Sequence, residues 1–245
     1  MQRFFKMPDN PNAVVWRYMD FTKYVAMLDS GGLFFVKVNA LAHADPFEGS
    51  FWPSQELREN AGSREHAESS AREMLVSCWH RNEGESAAMW RLYLRSDEGV
   101  AIRSTFSRLQ MVLRDGRVRE PEGDGTAPGT PVNGGVGLVE YLDFQTQRFG
   151  PRANLFQGVL HKRKCFDHER EVRAVIVPDT RWLREARTGV VLLVSDLNDL
   201  ILEVYVRPES PRWLTDLVRS VSQKYGLEAP VRRSRLLEFP EGADA

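Results

Sequence analysis

The stretch VVLLVSDLNDLILEVYV, Val190–Val206, places two apolar, β-branched runs one after the other with only a short polar joint between them. VVLLVS and LILEVYV therefore read as two strands in direct succession. A helix follows, with Ser210 as its cap and Pro211 in its first turn. Its expected buried stripe is Trp213, Leu214, Leu217, Val218, Val221 and Tyr225, and Gly226 stops it. PVRRSRL beyond it has the character of a short edge strand.

Upstream, strands and helices intermix without strict β-α-β repetition. VVWRYM (Val14–Met19) reads as a strand, Asp20 as the cap of a helix closed at Gly31-Gly32, and LFFVKV as a second strand. Ser54 opens a polar helix that breaks near Gly62, and MLVSCW is a strand. ESAAMWRLYL is a helix, GVAIRS a strand, and VGLVEYLDF a strand. Residues 154–164 form a helix ending in the cations Lys162, Arg163 and Lys164. The Gly/Pro-rich residues 120–137 read as a mobile surface loop. The chain is thus expected to be α+β: a single domain over residues 1–245, its ordered core about 14–236, with a twisted mixed sheet flanked by helices.

At 245 residues the chain can bury a full core without staples. Lys and Arg number 33 against 34 Asp and Glu, so no global field attracts nucleic acid or anionic membrane. Cys78 and Cys165 lie in structured segments and suggest reduced thiols. With no apolar stretch of membrane length and no secretory signal, the cytoplasm is the expected compartment. The histidines form no metal-ligand spacing, and no metal is expected.

The candidate chemistry gathers at KCFDHEREVRAV, Lys164–Val175, where a charged cluster enters an apolar strand. In a strand beginning near Glu169, alternation puts Glu169, Glu171 and Arg173 on one face. Two carboxylates so placed suit a sugar hydroxyl or a developing cation; alternatively they form a salt-bridged edge. Arg17, flanked by Trp16 and Tyr18, either pairs in the sheet or holds a phosphate. ADPFEG offers Asp45 and Glu48 around a turn. In SCWH, alternation separates Ser77 and Trp79 from Cys78 and His80. Trp79 can stack on a base and His80 titrates near neutrality. Trp90 and Tyr93 share a helix face at a spacing that is more often core than cofactor site.

The motifs WRYM, DPFEG, SCWHRNEGESAAMW-x-x-Y, GVAI, KRK-x-F-x-HEREVR and LILEVYVRP, in that order, resemble the bacterial domain-of-unknown-function family 2971. That resemblance implies a bacterial origin and a single-domain unit, and little about chemistry. A second likeness is to the Arg-Ser-Glu arrangement of ADP-ribosyltransferases, with Arg17, Ser77 and Glu171 in those places and Glu169 as the outer carboxylate. It implies NAD as substrate: Arg17 on the phosphates, Ser77 on the nicotinamide ribose, and Glu171 stabilising oxocarbenium character as the glycosidic bond breaks. Trp79 and Tyr93 would then contact the cofactor, and Asp45, Glu48, His80 and Arg173 the substrate. The middle motif departs from the pattern, being Ser-Cys-Trp rather than Ser-Thr-Ser.

Arg17, Ser77 and Glu171 are accordingly expected to share one cleft. A toxin or phage-defence role would suit such an enzyme, acting on a protein or nucleic-acid target. Two other classes compete. One is a metal-dependent phosphodiesterase using Asp45, Glu48, Glu169 and Glu171. The other is a non-catalytic binding module with a structural charge network.

Overall fold

The computed structural model describes residues 4–43, 45–50, 61–119, 129–146 and 156–238. In chain order the strands are β1 (Val14–Asp20), β2 (Gly32–Lys37), β3 (Leu75–Arg81), β4 (Gly99–Thr105), β5 (Arg117–Val118), β6 (Thr130–Pro131) and β7 (Asn133–Leu138). They continue with β8 (Glu140–Leu142), β9 (His161–Arg163), β10 (Glu171–Val177), β11 (Gly189–Leu193), β12 (Glu203–Val206) and β13 (Val231–Arg233). The helices are α1 (Phe21–Ser30), α2 (Val38–Leu41), α3 (Ala61–Glu73), α4 (Ala87–Leu92), α5 (Phe106–Asp115), α6 (Gln157–Leu160), α7 (Arg181–Glu185) and α8 (Arg212–Lys224).

Strand β3 is the branch point of the main sheet. Along one edge it pairs antiparallel with β10, from Glu171↔His80 to Ile176↔Leu75. Its other edge is shared by two strands at opposite ends. β1 takes Arg81 and His80, and β2 takes Val76 and Leu75. Between those pairings β1 and β2 part, and α1 joins them across the opening. Beyond β1 the sheet continues through β4 and β12 to β13; beyond β2 it continues through β11 to β5 and β6. Antiparallel pairs dominate, with β13 parallel to β12, so this is the mixed sheet of an α+β domain.

Alternation explains the burial. Val15, Met19, Leu33, Phe35, Leu75, Trp79, Val172, Ala174 and Ile176 point to one face and join α1, α5 and α8 in the largest core. Trp16 and Tyr18 on the other face pack with Trp90 of α4, whose ring meets Tyr18 edge-on at 4.9 Å. Val36, Val76, Val175 and Phe5 form a third cluster under α3 and α6. Phe5 is buried and Leu138 N–H donates to the Lys6 carbonyl, so the ordered core begins well before residue 14.

Several expectations change. Residues 154–164 are not one helix: α6 is a single turn and His161–Arg163 is strand β9, parallel to β8. The expected loop over residues 120–137 resolves differently, because 129–137 supply β6 and most of β7, while 120–128 lie outside the described residues. The glycines of β7 serve close packing; a Cβ at Gly135 would stand 2.5 Å from the Phe5 ring. VGLVEYLDF is divided between β7 and β8. The helix α3 starts at Ala61, so Gly62 lies in its first turn, and Ser54 is outside the described residues. Asp20 makes no capping bond and instead accepts from Arg95 N–H, while Gly31, at φ 61, closes α1 as expected.

At α8 the N-cap is Pro211, and the Ser210 hydroxyl donates to the Asp97 carbonyl. Leu214, Val218 and Ser222 form the buried face there, whereas Trp213 is 54% exposed and Leu217 and Tyr225 are also exposed. The Tyr24 and Ser222 hydroxyls, 2.7 Å apart, explain why a serine belongs on that face.

Candidate functional site

The opening between β1 and β2 leads into a cavity of about 880 Å³. Trp16, Tyr18, Cys78, His80, Glu171 and Arg173 line it on one face of the sheet. Through the opening it reaches Arg17 and Trp79, which alternation directs to the opposite face, and Lys23, Ala26 and Met27 of α1. That volume falls in the range of sites that enclose a cofactor-sized ligand.

Arg17 sits at the opening. Its Nη2 donates to the Phe34 carbonyl of β2 at 3.0 Å, and its guanidinium stands 5.9 Å from the centre of the Trp79 ring. Among the described residues it forms no ion pair with a carboxylate. The residue is half-buried; burial lowers its pKa to about 10, so it stays protonated at neutral pH with no carboxylate counter-charge among the described residues. The guanidinium is therefore only partly satisfied, with donors left for a ligand.

At the other end the cavity meets a charge cluster. Arg173 is wholly buried, at 0% exposure, and directly opposite Cys78 in the ladder. It makes a bidentate contact to Glu48 at 2.7 and 2.9 Å, reaches Glu171 Oε2 at 2.9 Å and donates to the Val159 carbonyl at 2.7 Å. Its Nε is buried without a partner among the described residues. Lys162 lies 2.5 Å from Glu169, 3.5 Å from Glu48 and 3.8 Å from Glu171. Three carboxylates thus share two cations, and the cluster keeps one formal negative charge.

The environment separates the two glutamates that the sequence paired. Burial works against the Glu171 carboxylate, but Arg173 and Lys162 outweigh it and hold its pKa below the usual range. Burial, reinforced by the charge of Glu171, raises the pKa of Glu169 despite its bond to Lys162. Burial and then the charge of Glu171 push the Cys78 thiol well above its usual value, so the thiol stays protonated beside Glu171. The Glu171 N–H donates to the Tyr141 hydroxyl at 2.7 Å. His80 donates from Nδ1 to the Glu169 carbonyl at 2.6 Å, and burial lowers its pKa.

The predicted residues divide as follows. Arg17, Trp79, His80, Tyr93, Glu48, Glu169, Glu171 and Arg173 all line the cavity. Ser77 does not: it is 1% exposed, points to the core face and accepts a bond from Trp79 Nε1 at 3.1 Å. The residue of this strand that faces Glu171 is Cys78. Asp45 is also absent from the cavity wall; Arg163 holds it at 2.8 Å and it caps Phe47 N–H. The four carboxylates of the metal-dependent reading are therefore not gathered in one place.

Glu169 is not on the strand, since a 3₁₀ turn spans Lys164–Glu169, Arg170 takes φ 41, and β10 begins at Glu171. It nevertheless returns to the cluster through Lys162, which the sequence had placed on a solvated helix end. Trp90 is core, while Tyr93 at the end of α4 turns to the cavity. Among the described residues no helix is long and apolar enough to cross a membrane. No protein-family model, curated protein or solved structure matches the chain.

Proposed function

We propose that the protein is an ADP-ribosyltransferase-like enzyme that binds NAD and breaks its nicotinamide–ribose bond. The observation that carries this reading is the polarity of one cavity: at the opening a guanidinium that pairs with no carboxylate among the described residues, and at the far wall a carboxylate cluster in net negative excess. A dinucleotide matches both ends. Its diphosphate suits the planar donor fork of Arg17, with Trp79 beside it to cover a ring face. The positively charged nicotinamide ribose suits the carboxylates.

In the step itself the C1′–N bond breaks with its electron pair going to nicotinamide, which leaves neutral. The ribose acquires oxocarbenium character. Glu171, held ionised by Arg173, stabilises that charge from a fixed position and needs no reorganisation. Water or an acceptor nucleophile then bonds to C1′. Glu169, whose raised pKa brings it nearer neutrality, is placed to take the proton this nucleophile loses. Ser77 has no part in this scheme. The resemblance to the bacterial domain-of-unknown-function family 2971 would add a bacterial setting and no chemistry.

Calorimetric titration with ADP-ribose and chromatographic assay of nicotinamide released from NAD test the proposal. Binding that is lost in Arg17→Lys, and release that is lost in Glu171→Gln below its melting range, would support it. Absence of both binding and release with the wild-type protein at millimolar ligand would overturn it.

A further inference from the structure

The chain has six tyrosines, and five of their hydroxyls are occupied inside the protein. Tyr18 accepts from Ser86 N–H at 2.9 Å, and Tyr24 is bonded to Ser222. Tyr141 accepts from Glu171 N–H, while Tyr205 and Tyr225 donate to Glu203 and Asp29. The sixth is Tyr93. Its hydroxyl has no hydrogen-bond partner among the described residues, and its side chain lines the cavity with Glu169 and Glu171.

The position is fixed from below. Ser86 caps α4 by accepting from Met89 N–H, Met89 and Trp90 bury the inner side of the helix, and Tyr93 closes its last turn. That leaves Tyr93 38% exposed as a residue, with its side chain in the cavity lining, while its neighbour Trp90 is core. Burial pushes the Tyr93 pKa up, and the charges of Glu171 and Glu169 push it further in the same direction. The phenol is therefore a standing O–H donor near two carboxylates that are already engaged by Lys162 and Arg173.

From this placement we infer that Tyr93 donates its hydroxyl hydrogen to an oxygen of the ligand's reacting ribose, the contact that sequence reasoning gave to Ser77. The inference rests on the dinucleotide reading and narrows it: recognition at the carboxylate end depends on a sugar, whereas recognition at Arg17 depends on phosphate. A donor of this kind discriminates, because a ligand lacking the sugar leaves nothing for the phenol to meet.

The test compares ADP-ribose with ADP, which carries the diphosphate but no second ribose, by calorimetry on wild type and Tyr93→Phe. The Phe variant keeps the ring and removes no internal bond, so its melting temperature should match wild type. ADP-ribose should bind about tenfold more weakly to the variant, one neutral hydrogen bond's worth, and ADP within about twofold of wild type. Unchanged ADP-ribose binding, or equal weakening of both ligands, would overturn the role of Tyr93 and leave the dinucleotide reading standing. Wild-type protein that binds neither ligand would remove both.

Discussion

Arg17 reaches from β1 to the carbonyl of Phe34 on β2, 3.0 Å away, and so ties together the two strands that part from β3. It holds this place with an aromatic ring beside it and, among the described residues, no carboxylate paired to it. Burial drives its pKa down to about 10, which means the folded protein disfavours the charge it carries. Arg17→Met should accordingly leave the melting temperature unchanged or raise it, while ADP-ribose binding disappears. Arg17→Lys should weaken that binding more than tenfold, since an ammonium cannot reproduce the planar fork. Thermal melts beside calorimetry check both, and a fall of more than about 5 °C in the Met variant would show that the arginine is structural.

Glu171 behaves in the opposite way. It is buried against Arg173 and Lys162, so Glu171→Gln should cost about 3 kcal/mol of stability as well as activity. Urea unfolding gives the first quantity and nicotinamide release the second. Activity lost with stability intact would mean that the ion pair contributes nothing to the fold.

Lys162 is the cation shared most widely in the cluster. Lys162→Met would leave Glu48, Glu169 and Glu171 facing Arg173 alone. The loss should be about 3 kcal/mol at pH 8 and markedly smaller at pH 5.5, because protonation of Glu169, whose pKa is already raised by burial and Glu171, relieves the excess charge. Equal losses at the two pH values would refute that account.

Acid should weaken the wild-type protein through its histidines, against a smaller opposite contribution from Glu169, whose raised pKa favours the folded state as it takes a proton. Burial lowers the pKa of His80, aided by Arg170 and His168 and opposed by its bond to the Glu169 carbonyl. His161 is lowered chiefly by burial as well, against the pull of Glu140. An imidazole depressed in the folded state takes its proton more readily when unfolded. Stability should therefore be level above pH 6.5, the ordinary histidine value, and fall as pH drops below it. Glu171, lowered on balance by Arg173 and Lys162, adds a further loss below its ordinary value of 4.5. His80→Gln should flatten the first fall, and urea midpoints at pH 5.5 and 7.5 measure it.

Much of the frame was legible from alternation alone. β1, β2, β4, β11 and the edge strand β13 lie where their apolar patterns put them, while β10 starts two residues late and β12 keeps only Glu203–Val206 of LILEVYV. The site was harder for reasons that are local. In β3 the pairs Ser77/Trp79 and Cys78/His80 separate correctly, but both faces of this strand are covered, so alternation could not say which pair meets the cavity. Arg170 adopts a left-handed conformation with no glycine to announce it, and that hid the start of β10. Lys162 looked like a helix terminus because a three-residue strand is too short to show a period. Tyr93 and Trp90 lie three apart on one short helix, and only the position of the sheet decides that one is core and the other is wall.

A sheet ordinarily hides its vulnerable edges at its margins, yet here one lies in the interior. On the side where β1 and β2 separate, the strand ladder assigns no partner to Ser77, Cys78 and Trp79. The middle of the most central strand thus has the character of a border. Amide hydrogens there should exchange with solvent faster than those of β4, which is flanked by β1 and β12. Across that seam between β1 and β2, the bond from Arg17 to the Phe34 carbonyl stands in for the missing ladder.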